Sequence, residues 1–312
     1  MEAGRSAYGE VLTLCDTTLK MAFTTSDFKI TDGRKFRLAD HPTELREHLS
    51  KDELKKLLDE DRERIIGLQE RLYAEDRRSL LLIFQAMDAA GKDSAIDHVL
   101  SGVNPQGCGV TSFKQPNNAE LEHDFLWRHA CAVPARGMIG VHNRSHYEEV
   151  LVVKVHPEYL LGQRLPDIAS PEDADTAFWE RRYSMIRAWE QHLAETGTTI
   201  MKFFLHMGKK EQKKRFIERI DDPKKNWKFS LGDVKEREHF EAYMKAYEDA
   251  IVATATPHAP WYVVPADEQW ETRAIIGDLV REQLEAMDPQ VPVLSAKTKA
   301  ELSEAKKLLG TE

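Results

Sequence analysis

The 312-residue chain carries 44 Lys and Arg against 53 Asp and Glu, a formal net charge of −9, with 41 % hydrophobic and 8 % aromatic residues. That apolar content supplies a sizeable core for one large α/β domain or two small ones, and the acidic balance argues against a general nucleic-acid binder, so any polyanion site has to be local. Cys15, Cys108 and Cys131 show no C-x-x-C spacing, which indicates neither a disulfide framework nor a zinc site, and with no stretch near about 18 apolar residues the expectation is a soluble cytoplasmic protein without signal peptide or membrane span.

Residues 1–50 read as an extended N-terminal arm, with Thr31-Asp32-Gly33 a turn signal and His41-Pro42-Thr43-Glu44 a helix start. From Lys51 to Tyr73, Leu54, Leu57, Leu58, Ile65, Leu68 and Leu72 keep helical spacing and leave charge on the other face, which predicts a helix packed on the core. Leu80 to Phe84 is a continuous apolar run, as in a buried parallel strand. The turn that follows, Gln85-Ala86-Met87-Asp88-Ala89-Ala90-Gly91-Lys92-Asp93-Ser94, opens onto a helical pattern and reads as a phosphate loop. In such a loop the backbone N–H groups around Ala89, Ala90 and Gly91 point inward and the helix start at Asp93 and Ser94 adds partial positive charge, so that Lys92 reaches the outer oxygens of a bound phosphate chain. Against G-x-x-x-x-G-K-[ST], Ala86 holds the first Gly position and Asp93 the Ser/Thr position. Asp88 offers a carboxylate that can hold hydrated Mg²⁺ or steer an acceptor.

The helix is expected to run to about Leu100, before Asn104-Pro105-Gln106-Gly107, with a short strand over Val110 to Phe113. Lys114 to Asn118 leave that strand where a parallel sheet opens into its ligand crevice; this makes Lys114 a candidate phosphate contact, with a solvated surface lysine as the alternative, and Asn118 a cap for a helix through Cys131. Met138 to Val141 predicts the next strand, delivering His142-Asn143-Arg144-Ser145-His146-Tyr147-Glu148-Glu149. A nucleotide kinase places an acidic residue at this strand end. Asn143 stands there instead and leaves more of the metal binding to Asp88, while Arg144 can neutralise phosphate. His142 and His146, at i, i+4 without a third ligand, read as packing residues rather than a zinc pair.

Ser170-Pro171-Glu172-Asp173 predicts the start of a long helix with Trp179, Tyr183, Ile186, Trp189 and Leu193 inward and Arg181, Arg182 and Arg187 partly polar; Thr199 to His206 is the next strand. Lys209 to Lys228 holds nine basic residues against four acidic ones, a local +5 in an acidic chain. The expected helix buries Phe216, Ile217 and Ile220 and presents Arg215 and Arg219, at i, i+4, to one phosphate chain. This is the expected lid, about 208–230, with Lys209 and Lys224 as further phosphate contacts; a solvated basic helix is the alternative. A helix over 233–254, a strand from Trp261 to Val264, a helix from Trp270 to Met287 and a charged tail over 288–312 complete the chain. The alternation implies right-handed crossovers and a parallel, doubly wound sheet over 51–287.

Gln85 to Asp93, Ser101-Gly102-Val103-Asn104-Pro105-Gln106-Gly107, Asn143-Arg144-Ser145-His146-Tyr147-Glu148, Asp222-Pro223-Lys224-Lys225-Asn226-Trp227-Lys228 and Ala259 to Asp267 together resemble the family-2 polyphosphate kinases, over roughly residues 27–285. The resemblance implies a thymidylate-kinase-like P-loop kinase fold, a parallel doubly wound sheet flanked by helices with a helical lid. It implies transfer of a terminal phosphoryl group between inorganic polyphosphate and a nucleotide, with Asp88 and Lys92 at the transfer site, the Asn143–Arg144 pair opposite, and Arg215 and Arg219 on the lid. Many members have Asp-Arg-Ser in place of Asn143-Arg144-Ser145 and Asn in place of Glu148. The Asn/Glu version resembles the subgroup that accepts both AMP and ADP, forming ADP and ATP. On this reading Lys92, Arg144, Arg215 and Arg219 clamp the transition state, Asp88 binds and orients Mg²⁺, and Glu148 holds the acceptor side or a second metal. A nucleotide phosphate is already an anionic nucleophile, so no strong general base is required. A homo-oligomer is also implied. The rival readings are an ATP-dependent nucleoside monophosphate kinase and a non-catalytic polyphosphate or nucleotide sensor.

Overall fold

The apolar runs become the inner strands of a six-stranded mixed sheet. In a computed structural model that describes residues 24–310, the strands are β1 (Lys29–Ile30), β2 (Ser79–Ala86), β3 (Cys108–Ser112), β4 (Ile139–Asn143), β5 (Thr198–His206) and β6 (Trp261–Pro265), in the order β1-β6-β5-β2-β4-β3. Every neighbouring pair is parallel except β1 on β6, so the expected parallel sheet has one antiparallel edge. Residues 1–23 of the expected arm, with Cys15, and the last two residues of the tail lie outside the described residues.

The pleat of β2 sorts its side chains between two cores, which is why its sequence is apolar throughout. Leu80, Leu82 and Phe84 pack with Leu58, Ile65 and Leu72 of α1 (Lys51–Glu75) and with Ile275, Leu279 and Leu284 of α7 (Gln269–Met287). Leu81 and Ile83 pack on the other face with Tyr183 and Ile186 of α3 (Thr176–Glu195) and Tyr243, Tyr247 and Ile251 of α6 (Phe240–Thr254). Between these helices in sequence come α2 (Lys92–Val99), which follows the phosphate loop, α4 (Lys209–Asp221), inside the segment expected as a lid, and α5 (Leu231–Glu236) just after it; α8 (Ala296–Leu309) is an outer helix with no buried residue.

Several boundaries differ from expectation for local reasons. From residue 28 the arm is built into the body: Phe28, Phe36 and Leu38 are buried, and the Leu38 N–H donates to Glu248 at 2.8 Å. The exposed edge of β6 recruits β1, which satisfies its backbone. Pro171–Asp173 is a separate 3-10 turn, and α3 starts at Thr176 because Asp175 caps the Phe178 N–H at 2.7 Å. Asn118 caps nothing; Asn117 and Glu120 bond reciprocally, and only short turns at Glu120–Glu122 and Trp127–Ala130 follow. The expected 233–254 helix is broken by the 3-10 turn Arg237–His239. On α3, Arg182 is buried rather than polar-facing, donating to Glu149 at 2.8 Å and to Gln163.

Candidate active site

Parallel strands leave a crevice at their carboxyl ends, and the neighbouring strands β2 and β4 end in the two most chemically loaded turns of the chain. Phe84 of β2 is paired with Asn143 of β4, so the phosphate loop and the Asn143–Glu149 segment emerge side by side. The loop closes on an Ala90 N–H donated to Met87 O at 3.2 Å, with Ala89 at φ 69° and Gly91 at φ 91°. Glycine removes the steric cost at position 91; alanine at 89 bears it.

Lys92 leaves the first turn of α2 and donates to the Asn143 side-chain oxygen and, at 3.3 Å, to Asp93 Oδ1, while the Asn143 amide donates to Asp93 Oδ1 at 2.9 Å. Burial lowers the Lys92 pKa, opposed by the charge of Asp93. Asp93, proposed from sequence as a phosphate contact, is therefore the anion that holds Lys92 and Asn143. Ser94, likewise proposed, accepts from Arg273 of α7 at 2.8 Å.

Arg144 has φ 64° and donates its backbone N–H to Phe84 O at 3.1 Å, which turns its side chain between two carboxylates. Its Nη2 donates to Asp88 Oδ1 at 3.2 Å, and Nη1 stands 3.8 Å from Glu148. Burial raises the pKa of both acids, and Arg144 works against it in each; the charge of Glu148 in turn raises Arg144. Glu148 also receives the Gln85 amide at 2.8 Å, and the Gln85 oxygen accepts from Ser145. A cavity of about 350 Å³ extends from Arg144 and Glu148 along Lys114, Arg128, Tyr159 and Gln163, so Lys114 lines the cleft although its side chain is exposed.

The lid segment departs most from expectation. Gln212, Arg215 and Phe216 form the buried stripe of α4, whereas Ile217 and Ile220 are 47 % and 50 % exposed. Arg215 does not face a phosphate path: it donates to the carbonyls of Ala89 (3.2 Å), Ala90 (3.1 Å), Ala266 (2.8 Å) and Asp267 (2.8 Å), and to Glu211 at 3.0 Å. With its donors so engaged it cannot serve as a transition-state clamp. The rotation has a physical reason, since the helix lies over loop backbone whose carbonyls need donors, not over an apolar core. Arg219 stays at the cleft, over the Phe216 ring and 3.7 Å from Asp233 of α5. Lys209 pairs with Glu241 at 3.3 Å and covers Phe240, and Lys224 is exposed on the turn after α4. Neither is brought to the transfer centre.

Sequence reasoning missed the groups behind these residues. Lys202, fully buried in β5, donates to Glu190 Oε2 (2.7 Å), Tyr147 Oη (2.9 Å) and Thr254 O (2.9 Å), and the Tyr147 hydroxyl donates to Glu190 at 2.8 Å. His146 Nε2 lies 3.4 Å from the same carboxylate. The signal was there in a single lysine inside the run Ile200-Met201-Lys202-Phe203-Phe204, a place where only a paired charge is tolerated.

Residues 48–292 match the model of the family described as Polyphosphate kinase 2 (PPK2). The chain is 47 % identical, over 93 % of its length and 99 % of the relative's, to an ADP-polyphosphate phosphotransferase of Rhodopseudomonas palustris. It is 45 % identical, over 73 % of its length and 80 % of the relative's, to an AMP/ADP-polyphosphate phosphotransferase of Meiothermus ruber. The crystal structure of polyphosphate kinase 2 from Arthrobacter aurescens TC1 superimposes with a TM-score of 0.81 at 40 % identity, covering 92 % of this chain and 98 % of that one.

Proposed function

This chain belongs to the polyphosphate kinase 2 family, and we propose that it transfers the terminal phosphoryl group of inorganic polyphosphate to AMP and ADP, forming ADP and ATP. The observation that carries the reading is the convergence of Lys92, Asn143, Arg144, Asp88 and Glu148 where β2 and β4 end side by side, next to a cavity of about 350 Å³. Lys92 and Arg144 offset charge on the transferring group and on the acceptor phosphate, whose own oxygen attacks without a general base. Arg219 approaches from the lid as a third cation. The mixture of three cations with two carboxylates suits an anionic donor and an anionic acceptor that must meet without being held too tightly.

The residues present fit Mg²⁺. Among the described residues no three His, Cys, Asp or Glu side chains gather into a metal cage, and Mg²⁺ commonly takes one or two carboxylates and completes its shell with substrate phosphates and water. Asp88 is one-third exposed and has only Oδ1 engaged by Arg144, which makes it the holder in this reading, with Glu148 on the acceptor side. An ion held there would supply further charge compensation for the phosphates. Cytoplasmic location and homo-oligomeric assembly belong to the same proposal; light scattering tests the second. No helix among the described residues is long and apolar enough to cross a membrane.

The test is nucleotide product formation with Mg²⁺ and long-chain polyphosphate, with AMP and ADP in parallel and ATP plus AMP as control. ADP and then ATP from AMP with polyphosphate is the expected result. Turnover only with ATP as donor overturns the donor assignment, and binding without turnover in every mixture overturns the enzymatic one.

A further inference from the structure

Three consecutive carbonyls of the phosphate loop are held by two side chains one turn apart on α4. Gln212 Nε2 donates to Asp88 O at 3.1 Å, and Arg215 Nη1 donates to Ala89 O at 3.2 Å and Ala90 O at 3.1 Å. Both side chains are buried, at 1 % and 7 % exposure. In a trans peptide the C=O of one residue and the N–H of the next point in opposite directions. Drawing the carbonyls of 88, 89 and 90 onto α4 therefore turns the following N–H groups away from it. The Ala90 N–H closes the turn on Met87, and those of Ala89 and Gly91 are left with donors facing in and carbonyls facing out, the orientation an anion cradle needs. Ala89 sits at φ 69°, a conformation that costs a non-glycine residue about 1 kcal/mol and persists only where its surroundings over-determine it. The guanidinium on its carbonyl supplies that constraint.

Gln212 is itself oriented. Its Oε1 accepts from Arg237 Nε at 3.0 Å, and Arg237 Nη2 donates to Lys209 O at 3.1 Å. An amide that receives Arg237 on its oxygen has to present its nitrogen to Asp88. Arg237 stands after α5, so the start of α4, the turn after α5 and the loop residue that carries the carboxylate form one hydrogen-bonded chain.

Resting on the phosphotransfer reading above, we propose that Gln212, oriented by Arg237, is a positioning residue for phosphoryl transfer. It sets the backbone of Asp88 and, together with Arg215, makes the donor-phosphate cradle depend on how α4 and α5 are docked. The donor side of the site responds to this chain of contacts; the acceptor side, built on β4 and the segment after it, does not.

The test compares Gln212→Met, which fills the space without either bond, Arg237→Met, and the double variant. Gln212→Asn, which keeps the amide but withdraws it by one methylene, is the mildest member. Melting temperature, kcat, KM for polyphosphate and the dissociation constant of AMP alone are measured for each. Misplacing a reacting group by about 1 Å costs about 100-fold, so Gln212→Met is expected to lose about that much kcat/KM for polyphosphate while AMP binding stays unchanged. The double variant is expected to be no worse than Gln212→Met, since Arg237 acts through the amide. A folded Gln212→Met or Gln212→Asn with wild-type kcat/KM for polyphosphate overturns the proposal. So do equal losses toward both substrates, and additive losses in the double variant. Failure of the phosphotransfer reading would show separately, as absence of polyphosphate-dependent turnover in the unsubstituted protein.

Discussion

Replacing Lys202 by methionine should be among the most damaging single changes outside the crevice. Lys202 and Glu190 are both fully buried, and the ammonium makes three hydrogen bonds, to Glu190, Tyr147 and the Thr254 carbonyl. Burial lowers the pKa of Lys202, with Glu190 opposing the shift. Breaking a buried pair by removing one partner costs about 3–5 kcal/mol, because the remaining charge has no counterion. With an unfolding entropy of about 2.1 cal/mol/K per residue, a loss of about 4 kcal/mol lowers Tm by about 6 °C in a chain of 312 residues. Calorimetry on Lys202→Met and on Lys202→Met with Glu190→Leu separates the lost pairing from lost packing, since replacing both charges by apolar groups is often neutral. The single variant is expected to fall by that amount and the double to recover most of it. Activity should follow stability, because Tyr147 and His146, which hang on Glu190, flank Glu148. A loss below about 1 kcal/mol in the single variant, or no recovery in the double, refutes the view that this pair is an obligate unit.

Lys92→Ala is expected to remove phosphoryl transfer, by about 100-fold or more, while circular dichroism and Tm stay near those of the unsubstituted protein; retained turnover would remove Lys92 from the transfer centre. The acid limb of AMP binding measured without Mg²⁺ should lie above the ordinary carboxylate range, because burial raises both Asp88 and Glu148, and Glu148→Gln should reduce that limb from two ionisations to one. An unchanged limb in a pH titration would contradict this. Burial pushes His142 and His206 down to about 4 and His129 lower still, from 6.5. Between those values the unfolded chain takes up protons that the native one refuses, so stability falls as pH drops below about 6.5, by up to about 1.4 kcal/mol per pH unit for each histidine. His129, whose ring nitrogens have no protein partner and whose ring lies 4.2 Å from Phe113, can be replaced by phenylalanine. His129→Phe should flatten the dependence of unfolding free energy on pH by one such slope, and an identical slope would show that His129 does not titrate this way.

The strands were legible because β2, β4, β5 and β6 are buried on both faces and each carries a run of apolar residues. Lys92, Asn143, Arg144 and Glu148 could be grouped from the sequence because each lies at or within a few residues of the carboxyl end of such a strand, where parallel sheets open. The inward face of α4 was not legible. Its buried stripe, Gln212-Arg215-Phe216, is mostly polar, so a search for apolar periodicity selected Phe216, Ile217 and Ile220, two of which face outward. A helix that packs on loop carbonyls carries donors where a helix that packs on a core carries leucines, and hydropathy does not distinguish that face from a solvated one. The same limit hid Arg182, which donates to the buried Glu149, and Arg273, which donates to the half-buried Ser94.

That distinction changes how the charge of the lid is counted. The nine basic residues between Lys209 and Lys228 suggested a strong local field on the donor. In the folded chain Arg215 is spent on backbone carbonyls, Lys209 pairs with Glu241, Lys214 with Glu211 and Lys225 with Asp222, while Arg219 faces Asp233. Of these acids only Glu241 and Asp233 lie outside the segment, so they take its local excess from +5 to +3, while Arg215 spends its donors on backbone before any substrate arrives. The cations at the transfer centre are then Lys92, Arg144 and Arg219, and Arg144 and Arg219 each stand beside a carboxylate. Three partly neutralised cations do not balance a phosphate chain meeting a nucleotide phosphate in this partly exposed crevice. The remaining compensation has to come with the substrates. In this reading Asp88 and Glu148 are present to receive the metal that accompanies them.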